Sequence, residues 1–290
     1  MKWNVNDNFV RCGIIAFIFC ASAIAVNAET VKWGPYSVIS QPFSMESNND
    51  HPWKVRIISS AGTQLREVHG YYSVHIKKLD FGAKCNPILI FELGDGGNDG
   101  LNVVYAYAYS TSTGIKNLLA TSGVLEAFQF RNLHKHDLPE LVLKDDDALN
   151  QFDHFSRASL GFVVRIYEWN GDSYEEKTPN YPEVTTMNLG ILRSKLLRSL
   201  PAAEHYVRGP FVNGQVDSYG SSHEDVMAGC INYWANAIVS GKTGEANQLF
   251  RQKTSPLLQH WLNSKHNILL QALSVGHQNI KTDDSKLVGR

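Results

Sequence analysis

The first half of the chain, from Val31 to about Tyr181, consists of short apolar runs separated by clusters of Gly, Asn, Asp and Pro. The runs are rich in β-branched and aromatic residues, a pattern typical of strands with turns between them. Asn170-Gly171, placed between two such runs, is the strongest hairpin signal in the chain. The pattern predicts short antiparallel strands arranged as a sandwich, a barrel or a propeller-like array. The clearest strand segments are residues 54–58, 71–76, 87–91, 102–109, 140–143 and 161–169.

The second half changes to helical spacing after Pro182. Leucines recur every three or four positions from Met187 to Leu200, which predicts a helix that stops at Pro201. The residues from 201 to 221 have the composition of a loop, and Ser222 is the predicted N-cap of the next helix. Further helices are predicted from the N-cap and C-cap signals downstream, namely one that ends at Gly241, one from Glu245 to Gln252 and one opened by Ser255-Pro256.

The N-terminal 28 residues have the features of a secretory signal peptide. Lys2 and Arg11 give a basic start, an apolar run extends from Cys12 to Val26, and small residues end at Ala28. A membrane anchor is the alternative, but the run of about 15 residues is shorter than the roughly 20 that a spanning helix needs. We therefore expect cleavage after Ala28, a periplasmic or secreted protein, and no membrane span after cleavage.

These patterns together predict an α+β protein. Residues 1–28 are the predicted signal peptide, 29–183 an N-terminal all-β domain of short antiparallel strands, propeller-like or sandwich, 184–280 a small α-helical domain, and 281–290 a flexible tail. The mature chain keeps Cys85 and Cys230. In an oxidising compartment these two form either one disulfide or two separate buried thiols, and the sequence leaves both alternatives open.

The segment from Phe128 to Leu143, FQFRNLHKHDLPELVL, places a polar loop directly before an apolar strand, and the hairpin at Asn170-Gly171 follows it. A glycine-rich acidic loop, residues 94–100, occupies a comparable place after the strand at 87–91. The segment resembles the FG-GAP or VCBS-type repeat, in which an acidic loop D-x-[DN]-x-D-G-x-x-[DE] precedes an apolar strand. The resemblance implies a propeller-like β domain and a calcium-binding loop.

The loop departs from that repeat at its ligand positions. Imidazoles stand at two of them, and calcium prefers oxygen ligands whereas histidine suits zinc, copper or nickel. Three interpretations stay open: a solvated turn whose side chains cap backbone groups, a transition-metal site, and acid/base chemistry. The residues of the candidate site are Asn132, His134, His136, Asp137 and Glu140.

A second candidate lies in the DGGNDG loop. Asp95 and Asp99 offer carboxylate oxygens to a divalent metal, and the alternative is a glycine-rich hairpin turn. No Lys-Ser/Thr pair follows, so the loop is not a P-loop. Apart from such a metal, no cofactor is indicated.

The charge balance narrows the choice of partner. The chain has 27 basic and 28 acidic residues, a net charge of −1, which gives no electrostatic attraction to nucleic acid or to an anionic membrane. No G-x-S-x-G, S-x-x-K or H-E-x-x-H motif occurs, which makes an enzyme the less favoured class. The sequence therefore favours a non-enzymatic interaction protein that binds another protein or a glycan. The alternative is a metal-dependent hydrolase that uses the His134/His136 loop.

Overall fold

The computed structural model describes residues 28–42, 53–70, 73–82, 85–94, 102–123, 128–134, 138–145, 148–149, 157–206 and 221–275. In these ranges the strands form three antiparallel sheets of four, and each sheet is a meander whose strands pair in chain order. Apart from a four-residue helix at Arg157–Leu160, between two strands of the third sheet, the α-helices follow that sheet. This arrangement confirms the predicted α+β class, with an all-β part first and helices after it. No helix in the described ranges is long and apolar enough to cross a membrane.

Sheet 1 has one packed face and one polar face. Its strands are β1 Glu29–Trp33, β2 Tyr36–Pro42, β3 Trp53–Ser59 and β4 Gln64–Gly70. In β3, Val55 and Ile57 are buried against sheet 2, whereas Lys54 and Arg56 alternate with them on the other face. Gly34 has a positive φ of 57° in the β1–β2 turn, where a Cβ would collide with the ring of Tyr109 from sheet 2. The turn therefore requires glycine both for its backbone and for the close approach of the two sheets.

Sheet 2 lies between the other two sheets. Its strands are β5 Ser73–Leu79, β6 Ile88–Gly94, β7 Asn102–Ser110 and β8 Gly114–Gly123. In β6, Phe91 packs toward sheet 1 and Ile90 toward sheet 3. This alternation explains why the strand is apolar at consecutive positions, because both of its faces are covered.

Sheet 3 follows with β9 Phe128–Arg131, β10 Glu140–Asp145, β11 Val163–Trp169 and β12 Tyr174–Glu176. The predicted hairpin is confirmed: Trp169 pairs with Tyr174, and Asn170 Oδ1 accepts hydrogen bonds from the backbone N–H groups of residues 172 and 173. Each of the six predicted strand segments overlaps an observed strand.

The helices are α1 Arg157–Leu160, α2 Pro182–Tyr206, α3 Ser221–Val239, α4 Thr243–Lys253 and α5 Pro256–Val275, with a short 3-10 helix at Thr178–Asn180 before α2. The predicted end of α2 at Pro201 is wrong. A proline removes one backbone donor, and burial of Leu196 and Leu200 in the helical core stabilises the helix on either side of that loss. Ser222 lies inside α3, since the helix begins at Ser221.

The other helix boundaries agree with their capping signals. Gly241 has a φ of 72°, its N–H donates to Ile238 O, and the next N–H, of Lys242, donates to Ala237 O at 2.7 Å. This geometry ends α3 as predicted. Ser255 Oγ accepts a hydrogen bond from Leu258 N, which caps α5 with Pro256 at its first position.

Buried polar side chains tie sheet 3 to the helices. The Arg165 guanidinium, fully buried, donates to Asp145 Oδ2 at 2.9 Å, to Glu176 Oε2 at 3.0 Å and to Leu273 O of α5 at 2.8 Å. On α3, Asn236 Oδ1 accepts from Val164 N and its amide donates to Phe162 O. These contacts satisfy backbone groups at the start of β11 that no neighbouring strand reaches. The third sheet and the helices therefore share a polar junction as well as an apolar core.

Candidate functional site

The loop before β10 is shaped by one buried carboxylate. Glu140, 1% exposed, begins β10, and its Oε2 accepts a hydrogen bond from Leu133 N at 2.7 Å. Its Oε1 accepts from His134 N at 3.2 Å. Hydrogen bonds from N–H groups to a buried carboxylate are charge-assisted and replace the water that burial removed. Glu140 therefore fixes the backbone that presents His134.

Tyr181 forms the floor of the site. The 3-10 helix and the first residues of α2 place its side chain, fully buried, beside sheet 3, where its hydroxyl donates to Glu168 Oε1 at 2.6 Å and lies 3.3 Å from Glu140 Oε1. Burial, followed by the hydrogen bond to Glu168, raises the pKa of Tyr181 well above its usual range. The phenol stays protonated and acts as a donor that holds two carboxylates together.

His134 lies on top of this floor. Its ring is stacked on that of Tyr181, with 4.4 Å between centroids and 14° between planes. Nε2 is 3.7 Å from Glu183 Oε1, in the first turn of α2. The side chains of His134 and Glu183 are 40% and 53% exposed, so the outer face of the pair meets solvent. The loop, β11 and α2 together hold an imidazole and a carboxylate at the surface.

An exposed apolar pair continues this surface along α2. Met187 and Ile191 follow Glu183 at intervals of four residues and therefore share its side of the helix. They are 61% and 62% exposed, the highest values among the large apolar side chains of the described residues. We refer to His134, Glu183, Met187 and Ile191 as the α2 face.

Two of the predicted metal ligands make other contacts, and three lie outside the described residues. Glu140 caps the loop backbone, and His134 stacks on Tyr181. His136, Asp95 and Asp99 lie outside the described residues. Within the described ranges, no group of three or more His, Cys, Asp or Glu side chains could hold a metal ion. A divalent metal at either loop stays a prediction.

The two cysteines lie in different parts of the structure. Cys85 precedes β6 and its Sγ donates to Asn86 O at 3.2 Å. Cys230 is fully buried in α3 within the helical core, and this burial raises the pKa of its thiol to about 12. The structure has no bond between them, and their pairing in an oxidising compartment stays a prediction.

Sequence reasoning missed Tyr181, Glu168 and Glu183 as members of the site. Tyr181 is separated from Glu140 by 41 positions along the chain, and no local pattern indicates their contact. The only local signals were an acid in the first turn of a helix, at Glu183, and a tyrosine directly before Pro182.

Comparisons with known proteins leave the chain without an assigned family. No family model and no curated protein matches it. Among solved structures, it is similar to PliI-Ah, a periplasmic lysozyme inhibitor of I-type lysozyme from Aeromonas hydrophyla. The identity is 15%, the alignment covers 34% of this chain and 90% of that chain, and the TM-score is 0.27. A TM-score this low does not establish a shared fold, so the likeness carries no argument about function.

Proposed function

We propose that the protein is a periplasmic or secreted, non-enzymatic interaction protein that binds a partner protein through the α2 face. The observation that carries the proposal is the exposed pair Met187 and Ile191, set beside a loop that Glu140 and Tyr181 lock in place. The partner we expect has an apolar side chain next to a lysine or arginine.

The apolar part of the surface supplies area for binding. The inner side of α2 is already packed, because Leu189, Leu196 and Leu200 are buried in the helical core. Met187 and Ile191 do not belong to that core, and more than half of each side chain is exposed. An unbranched thioether adapts to irregular partner surfaces, and methionine is enriched at interfaces. Covering both side chains would recover apolar area that folding leaves exposed.

The locked loop lowers the cost of binding. Two backbone N–H groups on Glu140 and the stack on Tyr181 fix the His134 ring before any partner arrives. A preorganised side chain loses less conformational entropy on association than a mobile one. A surface that combines a fixed ring with apolar neighbours is suited to recognition.

The negative charge of Glu183 on the α2 face favours a partner with a lysine or arginine at the interface. Glu183 is half-exposed, and Glu168 accepts a hydrogen bond from Tyr181, on which His134 is stacked. Because the carboxylate of Glu183 lies at the rim, a lysine or arginine opposite it would affect the association rate and the salt dependence more than the affinity.

Comparative capture tests the proposal. Mature wild-type protein, Ile191→Lys and Ile268→Lys are immobilised, and proteins retained from the organism's own periplasmic and extracellular extracts are quantified by mass spectrometry. Ile268 is a matched control, since it is a 43% exposed isoleucine on α5, a helix that contributes no residue to the α2 face. We expect one protein to be lost with Ile191→Lys and retained with Ile268→Lys. The purified partner should then bind the Glu183→Gln variant more weakly than the wild type at low salt. Equal retention by both variants would overturn the proposal.

We also propose that residues 1–28 are removed on export and that the three sheets are degenerate VCBS-type blades. The blade interpretation is supported by the sheets themselves, since each is a four-stranded antiparallel meander and successive sheets stack face to face. N-terminal sequencing of the exported protein tests the first part, and a mature chain that keeps Met1 would contradict it.

Metal content separates this function from the alternative of a metal-dependent hydrolase. Elemental analysis of the purified mature protein is compared with that of a His134→Ala/His136→Ala variant. The interaction proposal expects no stoichiometric zinc or copper in either protein. Stoichiometric metal that disappears in the variant would instead support the hydrolase.

A further inference from the structure

A cavity of about 240 Å³ lies within the helical part of the chain, away from the α2 face. Side chains from α3, α4 and α5 line it. The apolar side chains that line it include Trp234, Phe250 and Leu262, and the polar ones include Arg251, Asn263 and His266. The lining therefore combines apolar contact area with hydrogen-bonding groups.

Trp234, one of the residues that line the cavity, has a hydrogen-bond donor without an acceptor. The residue is 3% exposed, and its indole Nε1 has no hydrogen-bond partner. Its ring is held on two sides, edge to face with Phe250 at 6.0 Å and stacked on His266 at 5.1 Å. A buried N–H without an acceptor is costly and rare, since most such groups are paired with protein or with bound molecules. A ligand that brings an acceptor would satisfy it.

The charges around the cavity favour an anion. Arg251 is exposed, and no Asp or Glu is among the described residues that line the space. Arg251 forms no ion pair with a carboxylate of the described residues. A guanidinium is also well matched in shape to a carboxylate.

Backbone carbonyl oxygens at the end of α4 carry partial negative charge that would repel an anion, and two of them already accept hydrogen bonds. Phe250 O accepts hydrogen bonds from the backbone N–H and the hydroxyl of Thr254, at 3.0 and 2.6 Å. The Gln259 amide, also part of the lining, donates to Thr254 O at 2.9 Å. The carbonyl groups of Phe250 and Thr254 are therefore covered, which reduces their negative potential toward the cavity.

We propose that this cavity binds a small organic carboxylate with a flat apolar body. The body would lie among the apolar side chains, and the carboxylate would accept hydrogen bonds from Trp234 Nε1 and Arg251. The size is suitable, because an apolar cavity of about 150 Å³ is enough to hold benzene. The site is independent of the α2 face, so either proposal stands if the other fails.

Titration of the mature ¹⁵N-labelled protein with benzoate tests the proposal by NMR. The indole N–H signal of Trp234, assigned as the one missing in Trp234→Phe and confirmed by triple-resonance spectra, should move downfield and saturate. Benzyl alcohol, a neutral analogue of similar size, should shift it far less. Arg251→Gln should weaken benzoate binding by about tenfold or more, the effect of losing one charge-assisted contact.

Lys253→Gln is the matched control, since Lys253 is an exposed cation in the same last turn of α4 but does not line the cavity. It should bind benzoate as the wild type does. Three results would each overturn the proposal: no saturable shift up to about 10 mM benzoate, equal binding of benzyl alcohol, or equal loss in both charge variants. Because Arg251 is exposed, its substitution leaves the fold intact even if Trp234→Phe fails to fold.

Discussion

Arg56 and Arg165 occupy the same tripeptide, Val-Arg-Ile, in the third strand of sheet 1 and of sheet 3, yet their surroundings differ. Arg56 is half-buried on the polar face of sheet 1, where its Nη2 donates to Gln41 Oε1 at 2.7 Å and its Nε has no partner. Arg165 is fully buried and donates to two carboxylates and to the carbonyl at the end of α5. The same local pattern therefore specifies a strand but leaves the environment of its arginine open.

The difference arises from what covers each end of the stack. The outer side of sheet 1 carries Lys54, Arg56 and Glu67, none of which is fully buried. Sheet 3 instead meets the helices, and its remaining apolar residues pack on Tyr181 and Val184. A stack of sheets needs its ends either polar or covered, because an uncovered apolar end invites association. This chain uses both solutions, one at each end.

The largest expected effect is on the buried arginine. Arg165→Met would leave Asp145 and Glu176 without their cation, and we expect it to lower the free energy of unfolding by about 3–5 kcal/mol. Arg56→Met, the matched change in sheet 1, should cost less than about 1 kcal/mol. Urea unfolding of both variants measures the difference. Equal losses would show that Arg165 does not hold the junction between sheet 3 and α5.

The second-largest loss of unfolding free energy is expected at Glu140, the buried carboxylate of the loop before β10. Glu140→Ala would leave the N–H groups of Leu133 and His134 without their acceptor, and we expect a loss of about 1–3 kcal/mol in unfolding free energy. The loop should also lose order, which would appear as faster amide hydrogen exchange at those two positions. Glu175→Ala is the control, since Glu175 in β12 is 54% exposed and should change neither quantity. Unchanged exchange in Glu140→Ala would contradict the locked loop.

The strands and most helices were predictable because they depend on local patterns. β6 and β11 are apolar at consecutive positions, and Gly241 and Ser255 mark helix ends through their own backbone geometry. The course of α2 through Pro201 was not predictable, because burial of leucines against other helices overrides the local penalty of a proline.

The candidate site was only half predictable, for a related reason. His134 and Glu140 belong to one segment that resembles a known repeat, so their proximity followed from the sequence. Tyr181, directly before α2, and Glu168, on β11, reach them across 41 and 28 positions from Glu140, and nothing local signals that contact. The role of Glu140 also depended on geometry, since its carboxylate turned toward the loop's own N–H groups.

High pH should weaken sheet 3 through its buried tyrosines. Burial raises the pKa values of Tyr167, Tyr174 and Tyr181 above the usual 10.0. The unfolded chain loses these protons near pH 10 while the folded chain keeps them. The stabilisation is therefore complete below about pH 10 and is lost progressively above it, by up to about 1.4 kcal/mol per pH unit for each group.

Tyr181→Phe tests the share of one phenol in this alkaline effect. The variant should lose about 0.5–1.5 kcal/mol at neutral pH, because the hydrogen bond to Glu168 disappears. Above about pH 10 its unfolding free energy should fall less steeply than that of the wild type, by the slope of one titrating group. Urea unfolding between pH 8 and 11 measures both, and parallel pH profiles would contradict the raised pKa of Tyr181.

The smallest effect is expected at the hydrogen-bonded pair of Glu67 and His69 on sheet 1. Glu67 Oε1 lies 2.8 Å from His69 Nε2, and the hydrogen bond lowers the pKa of Glu67 below its ordinary 4.5. A carboxyl group whose pKa is lower in the folded than in the unfolded chain stabilises the fold at pH values above its unfolded-state pKa. This stabilisation is lost as the pH falls through the folded-state pKa. Both side chains are about one-third exposed, so solvent screens the pair. Glu67→Gln should therefore change the unfolding free energy at pH 7 by less than about 0.5 kcal/mol. A loss comparable to that of Arg165→Met would mean that the polar face of sheet 1 is covered in solution, and the contrast between the two ends of the stack would not hold.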